Sequence, residues 1–210
     1  QPFGGEGLSG TGPKAGGPRY LSAFQAEPTT RTSEGDSLPL TESEDPLMRD
    51  QLERALDLQA RQLTAQAIRH EDCPGPTGEL NRLSEYPRGV WLALGASAAP
   101  LVDEALGFNN RVIWLSETDV TKRTDERLTL LLCQEITLDW LSSLAFDGVL
   151  VATTADCLQS IAQKLTERTG PLIPVVTQPG SGSQLTCERH LCIDTTASGG
   201  NPGLLLSAAQ

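Results

Sequence analysis

From residue 89 onward, apolar runs of strand length alternate with stretches of helical periodicity, and few architectures accept that pattern. The runs fall at 90–94, 111–115, 148–152, 172–177 and 190–194, with helical patterns between them at about 97–106, 138–145 and 154–168. The runs are continuous rather than alternating, which suits strands buried on both faces. Strand–helix–strand repetition with such strands gives a parallel sheet covered by helices. The expectation is an α/β domain built on a Rossmann-like, doubly wound, mostly parallel sheet of roughly five strands.

Upstream of the alternation, one helix is clearly punctuated. Asp45 can cap it, and Pro46 suits its first position. Leu47, Met48, Leu52, Ala55, Leu56, Leu63 and Ala67 then recur at near-helical spacing through Ile68. The run Cys73-Pro-Gly-Pro-Thr-Gly78 ends this region as a rigid loop. Residues 27–45 are polar and acidic, too poor in apolar surface to order themselves, and read as a linker. Residues 1–26 are glycine-rich. The chain starts at Gln1 and its only methionine is Met48, so a segment of a longer polypeptide is expected.

Charge and cysteine usage narrow the function classes. The formal net charge is −11 over 210 residues, which disfavours phosphate backbones and anionic membrane surfaces. No apolar run approaches the roughly 20 residues of a membrane span. Neither nucleic-acid binding nor membrane insertion is expected. The five cysteines (Cys73, Cys133, Cys157, Cys187 and Cys192) are odd in number and scattered, as for reduced thiols in the cytoplasm. The patch Cys187-Glu-Arg-His190-Leu-Cys192 lacks a fourth ligand and a common zinc spacing, so it reads as a part-buried strand, and no metal is assigned. Trp91, Trp114 and Trp140 read as core.

Two motifs resemble catalytic signatures. Gly5-Glu-Gly7-Leu-Ser-Gly10 fits the dinucleotide fingerprint, but the prolines and glycines after it cannot propagate the helix that holds a pyrophosphate. Gly95-Ala-Ser97-Ala-Ala99 lies between a strand and a helix like a nucleophile elbow. Asp147 or Asp156 and then His190 follow in hydrolase order, so a serine hydrolase using Ser97 and His190 is a formal rival. The last elbow position is alanine, however, and Ser97 is more simply a cap for the helix carrying Pro100. Asp119, Asp125, Glu126 and Glu135 do not have calcium-loop spacing and read as a solvated face. The terminus, Thr195 to Ser207, is rich in Gly, Thr and Asn yet contains Leu204-Leu-Leu206, as suits a tail that docks on another surface.

Three segments resemble the bacterial proline utilization A family. Gln1-Pro-Phe3-Gly-Gly5-Glu-Gly-Leu-Ser9-Gly-Thr-Gly-Pro-Lys14-Ala-Gly-Gly-Pro18 is similar to the end of that family's aldehyde dehydrogenase module. The run Cys73-Pro-Gly-Pro-Thr-Gly78-Glu-Leu-Asn81 resembles the stretch that follows it in the long members. Cys192-Ile-Asp-Thr-Thr-Ala-Ser-Gly199-Gly200-Asn201 resembles their C-terminal tail. The resemblance implies a fragment of a bifunctional enzyme that oxidises proline to glutamate. An FAD-dependent proline dehydrogenase and an NAD-dependent glutamate semialdehyde (pyrroline-5-carboxylate) dehydrogenase share that chain.

The resemblance further implies a layout. Residues 1–26 are a remnant of the aldehyde dehydrogenase catalytic domain and 27–45 an acidic linker. Residues 46–187 are the C-terminal Rossmann-like domain, and 188–210 the last strand and tail. Phe3, Gly4 and Gly5 match substrate-contacting positions, with Phe3 beside the aliphatic part of the semialdehyde. Thr195, Thr196, Gly199, Gly200 and Asn201 match the tail that docks on the upstream dehydrogenase module. The catalytic cysteine, the general base and the NAD- and FAD-binding residues lie upstream, so this region is expected to be non-catalytic and free of cofactor. It would support the dehydrogenase fold and cover the substrate-channelling tunnel of a homo-oligomeric, cytoplasmic parent, with peripheral association at the inner membrane a further expectation. The competing reading is a stand-alone structural or interaction module.

Overall fold

The structure, a computed structural model, describes residues 2–5, 14–17, 19–21, 24, 35–75, 78–119 and 124–194. Its elements in chain order are β1 (Leu40–Thr41), α1 (Pro46–Arg61), β2 (Arg69–Cys73), β3 (Glu79–Pro87), β4 (Val90–Leu94), α2 (Ala99–Gly107), β5 (Arg111–Ser116), β6 (Leu128–Leu132), β7 (Ile136–Thr137), α3 (Leu138–Ser143), β8 (Gly148–Val151), α4 (Ala155–Leu165), β9 (Val175–Val176), α5 (Gly182–Leu185) and β10 (Thr186–Asp194).

The centre is a five-stranded sheet in the order β6-β5-β4-β8-β9, every pairing parallel. Alternate residues of β4 feed two separate cores, as the strand pleat requires. Leu92 and Leu94 pack with Leu52 and Leu56 of α1, Trp140 and Leu141 of α3, and Ile161 of α4. Trp91 and Ala93 face the other way, against Leu101, Val102 and Ala105 of α2 and Leu185 of α5. Helices therefore cover both faces, and the expected α/β class with a doubly wound parallel sheet is the observed one. Asp45 caps α1, its Oδ1 accepting from the amides of Leu47 and Met48 at 3.0 and 3.1 Å, with Pro46 opening the helix. Trp91, Trp114 and Trp140 are all buried.

Three expectations about elements are corrected. Residues 190–194 do not join the parallel sheet; they belong to β10, which pairs antiparallel with β3, itself paired with β2. The fifth parallel strand is instead β6, an edge strand whose residues are only partly buried. The helix from Pro46 stops at Arg61 rather than near Ile68, and the polar segment after it forms β2. Residues 35–41 are not a loose linker either: Leu38 is buried, and Leu40–Thr41 pairs in parallel with Ile136–Thr137.

Candidate functional site: the carboxyl-end crevice of the sheet

In open α/β sheets, ligands bind outside the carboxyl ends of the strands where strand order reverses. Here β4, β5 and β6 succeed one another in one direction and β8 and β9 in the other, so the reversal lies between β4 and β8. The turn after β4 is Gly95-Ala96-Ser97. Gly95 adopts φ +77°, a left-handed conformation that glycine alone takes without strain. The chain then enters α2 through a short 3-10 turn.

This crevice is filled by the chain's own segment 35–41. Gly35 lies directly on the backbone of Ala152 and Thr153, just past the end of β8, with no room for a Cβ. Thr153 Oγ1 donates to the Asp36 carbonyl at 2.8 Å, and Ser97 Oγ donates to Asp36 Oδ2 at 2.5 Å. Leu38 is 8% exposed and sits over Gly95, where a Cβ would stand 2.5 Å from Leu38 Cδ2. The Ile136 amide donates to the Pro39 carbonyl at 2.9 Å, and Thr137 Oγ1 donates to the Ser43 carbonyl at 2.9 Å, anchoring the far end. What remains is a cavity of about 220 Å³ whose lining includes Asp36, Ser37, Gly95, Ser116, Glu117 and Cys133.

These residues do not fit a dinucleotide. A pyrophosphate needs a glycine-rich turn and free amides at the helix start. At this turn the Asp36 carboxylate occupies the Ser97 hydroxyl, and Leu38 occupies the space over Gly95. A phosphate there would meet a carboxylate instead of donors. One Rossmann-type feature survives: Glu117 lies just past the end of β5 and lines the cavity, where such folds carry a ribose-binding acid. Sequence reasoning missed Glu117, although its distance from the Gly95 turn was the available signal.

Two thiols flank the crevice in different surroundings. Burial pushes the Cys133 thiol up to about 11, with Glu117 and Asp45 adding to the rise. Burial also opposes ionisation of Cys157, yet hydrogen bonding with Thr154, the Leu38 backbone, Ser37 and Thr153 together outweighs it and holds this thiol below its ordinary value.

The hydrolase constellation does not assemble. Ser97 belongs to the parallel sheet's crevice and gives its hydrogen bond to Asp36. His190 belongs to the antiparallel sheet, with its Nε2 at 3.8 Å from Glu188. Asp147 accepts from the Val90 amide at 2.8 Å, and burial raises its pKa. Asp156 lies in the first turn of α4. The capping expectation for Ser97 is corrected as well, since its side chain makes no cap bond to α2; its oxygen is engaged by Asp36.

Phe3 pairs with Ala15 in an antiparallel bridge, the two amides donating across it at 2.9 and 2.8 Å. Phe3 is 83% exposed, and Gly4 takes φ +130°. Gly5 follows the turn. Thr195, Thr196, Gly199, Gly200 and Asn201 lie outside the described residues. Among the described residues, no group of three or more His, Cys, Asp or Glu could hold a metal ion, and no helix is long and apolar enough to cross a membrane.

Known proteins supply the remaining frame. The chain is 30% identical over 233 residues to the bifunctional protein PutA of Salmonella typhimurium, covering 98% of this chain and 18% of that protein. The PutA of Escherichia coli is 30% identical over 239 residues, with the same coverage. In sequence the chain is PutA-like along nearly its whole length. It spans 18% of the length of these relatives. No protein-family model matches it. Among solved structures it is similar to an NAD-dependent benzaldehyde dehydrogenase from Corynebacterium glutamicum, with TM-score 0.40 and 14% identity over 54% of this chain and 29% of that one. A Staphylococcus aureus AldH has TM-score 0.40 and 16% identity over 61% of this chain and 30% of that one. The fold itself is given by the strand order of the parallel sheet.

Proposed function

We propose that the chain is the C-terminal part of a bifunctional proline dehydrogenase/L-glutamate-γ-semialdehyde dehydrogenase and that it does no chemistry itself. Its parent oxidises proline to glutamate with FAD and NAD. This region braces the upstream dehydrogenase module and covers the tunnel through which the intermediate passes. Phe3, Gly4 and Gly5 belong to the edge of the semialdehyde site, where an exposed rigid ring beside a short carbon chain positions it. Residues Thr195, Thr196, Gly199, Gly200 and Asn201 dock on the dehydrogenase module. The parent is a cytoplasmic homo-oligomer.

The observation that carries the non-catalytic reading is the filling of the sheet's carboxyl-end crevice by Asp36 and Leu38. Similarity to PutA over 98% of the chain supports the parent's identity. The test is coupled turnover in the parent enzyme with residues 195–210 deleted. NADH formation from proline should acquire a lag, while turnover of added semialdehyde stays near that of the intact enzyme. A progress curve without a lag would overturn the covering role.

A further inference from the structure

The antiparallel sheet carries a charge arrangement that the functional reading leaves unused. In the β3–β10 register, Glu85 stands directly opposite Glu188, so two carboxylates share one face at a non-local cross-strand pair. Like charges placed this way repel. Glu188 is also enclosed, its side chain 1% exposed, and neither of its carboxylate oxygens has an aligned hydrogen-bond donor. An isolated carboxylate in such a position is costly unless a cation compensates it.

The compensating cation comes from far away in sequence. Arg19 places Nη2 at 2.7 Å from Glu85 Oε1 and Nε at 3.2 Å from Glu188 Oε1. Its Nη1 donates to Thr186 Oγ1 at 2.6 Å and to the Ser183 carbonyl at 3.4 Å. The guanidinium therefore meets β3, β10 and the start of α5 at once. A planar fork of donors suits this geometry, and a compact ammonium does not. Arg88 is turned to backbone, donating to the Gln184 and Thr186 carbonyls, and three further charged groups do not replace Arg19 either. Arg69, the β2 neighbour of Glu85, is paired with Glu71 at 2.7 Å. His190 lies at 3.8 Å from Glu188, and its burial keeps it from charging readily. Lys14 acts on His190 by repulsion.

We propose that Glu85, Glu188 and Thr186 form a guanidinium receptor, and that Arg19 in this receptor is the latch fixing residues 19–21 to the three-stranded sheet. The proposal rests on these contacts and not on the reading of the chain as part of a proline-oxidising enzyme. In the intact chain, Arg19→Ala should lower the melting temperature by roughly 5–10 °C. Methylguanidinium should restore part of that loss and methylammonium should not. Neither cation should raise the melting temperature of the unaltered chain, and Arg19→Ala/Glu188→Gln should not respond to either. Equal rescue by both cations, or an unshifted melting temperature, would overturn the proposal. If Arg19→Ala does not fold, trypsin supplies the test through Glu188→Gln. Cleavage after Arg19 should be several-fold faster in Glu188→Gln than in the unaltered chain, and an unchanged cleavage rate there would equally overturn it.

Discussion

Cys133 and Cys157 are both near the crevice, but only one is set up to react. The thiolate is the nucleophile, so a thiol pushed up to about 11 by burial stays protonated at neutral pH. Cys157 is held below its ordinary value and is only partly buried. Iodoacetamide at pH 8 should therefore label Cys157 about tenfold faster than Cys133, read by peptide mass mapping. His190 yields a pH prediction. Burial lowers its pKa from 6.5 against the opposing pull of Glu188. A histidine depressed in the folded state opposes folding as it charges. Its contribution is complete above about pH 6.5 and is lost as pH falls from there toward the lowered value. Urea unfolding at pH 7.5 and pH 5.5 should show a loss of stability on acidification that His190→Asn reduces. At this scale, residues whose role is local were legible in sequence: Asp45 as a cap, and the three tryptophans as core. Ser97 was not, because its partner Asp36 lies 61 positions away.

The segment 35–41 is the element on which the functional reading turns. Its composition is that of a linker, yet the empty space over Gly95 gives Leu38 a socket and β7 gives Leu40 a partner. Leu38→Ala should cost about 2–4 kcal/mol in urea unfolding, as for other buried leucines truncated to alanine. Gly95→Ala should cost about 1–3 kcal/mol, since it adds both a left-handed alanine and a contact with Leu38. A cost below about 0.5 kcal/mol for Leu38→Ala would show that the segment does not seal the crevice. The same physics explains which elements could be read in advance. The strands β4, β5 and β8 are buried on both faces, so they appear as continuous apolar runs. β2 is an edge strand of polar, mostly exposed residues and carries no such run. The end of β10, residues 190–194, reads in sequence as one of the sheet's apolar runs, and only its pairing with β3, about a hundred positions earlier, sends it to the second sheet.

For the whole molecule, the outcome is a doubly wound parallel α/β fold whose carboxyl-end crevice is closed from within. The sheet carries the turn at Gly95 and the acid at Glu117, and the space at that turn is taken by Asp36 and Leu38. A net charge of −11 adds no attraction for an anionic ligand. Docking and bracing are functions such a domain can serve without a cofactor, and the proposed Arg19 latch would hold residues 19–21 to the three-stranded sheet. The most direct measurement is a titration of NAD into the 210-residue chain followed by amide resonances. No saturable shift is expected at Gly95, Ala96 or Ser97 up to about 1 mM NAD. Saturable shifts at those three residues with a Kd below about 100 μM would contradict this, placing a working dinucleotide site in this chain.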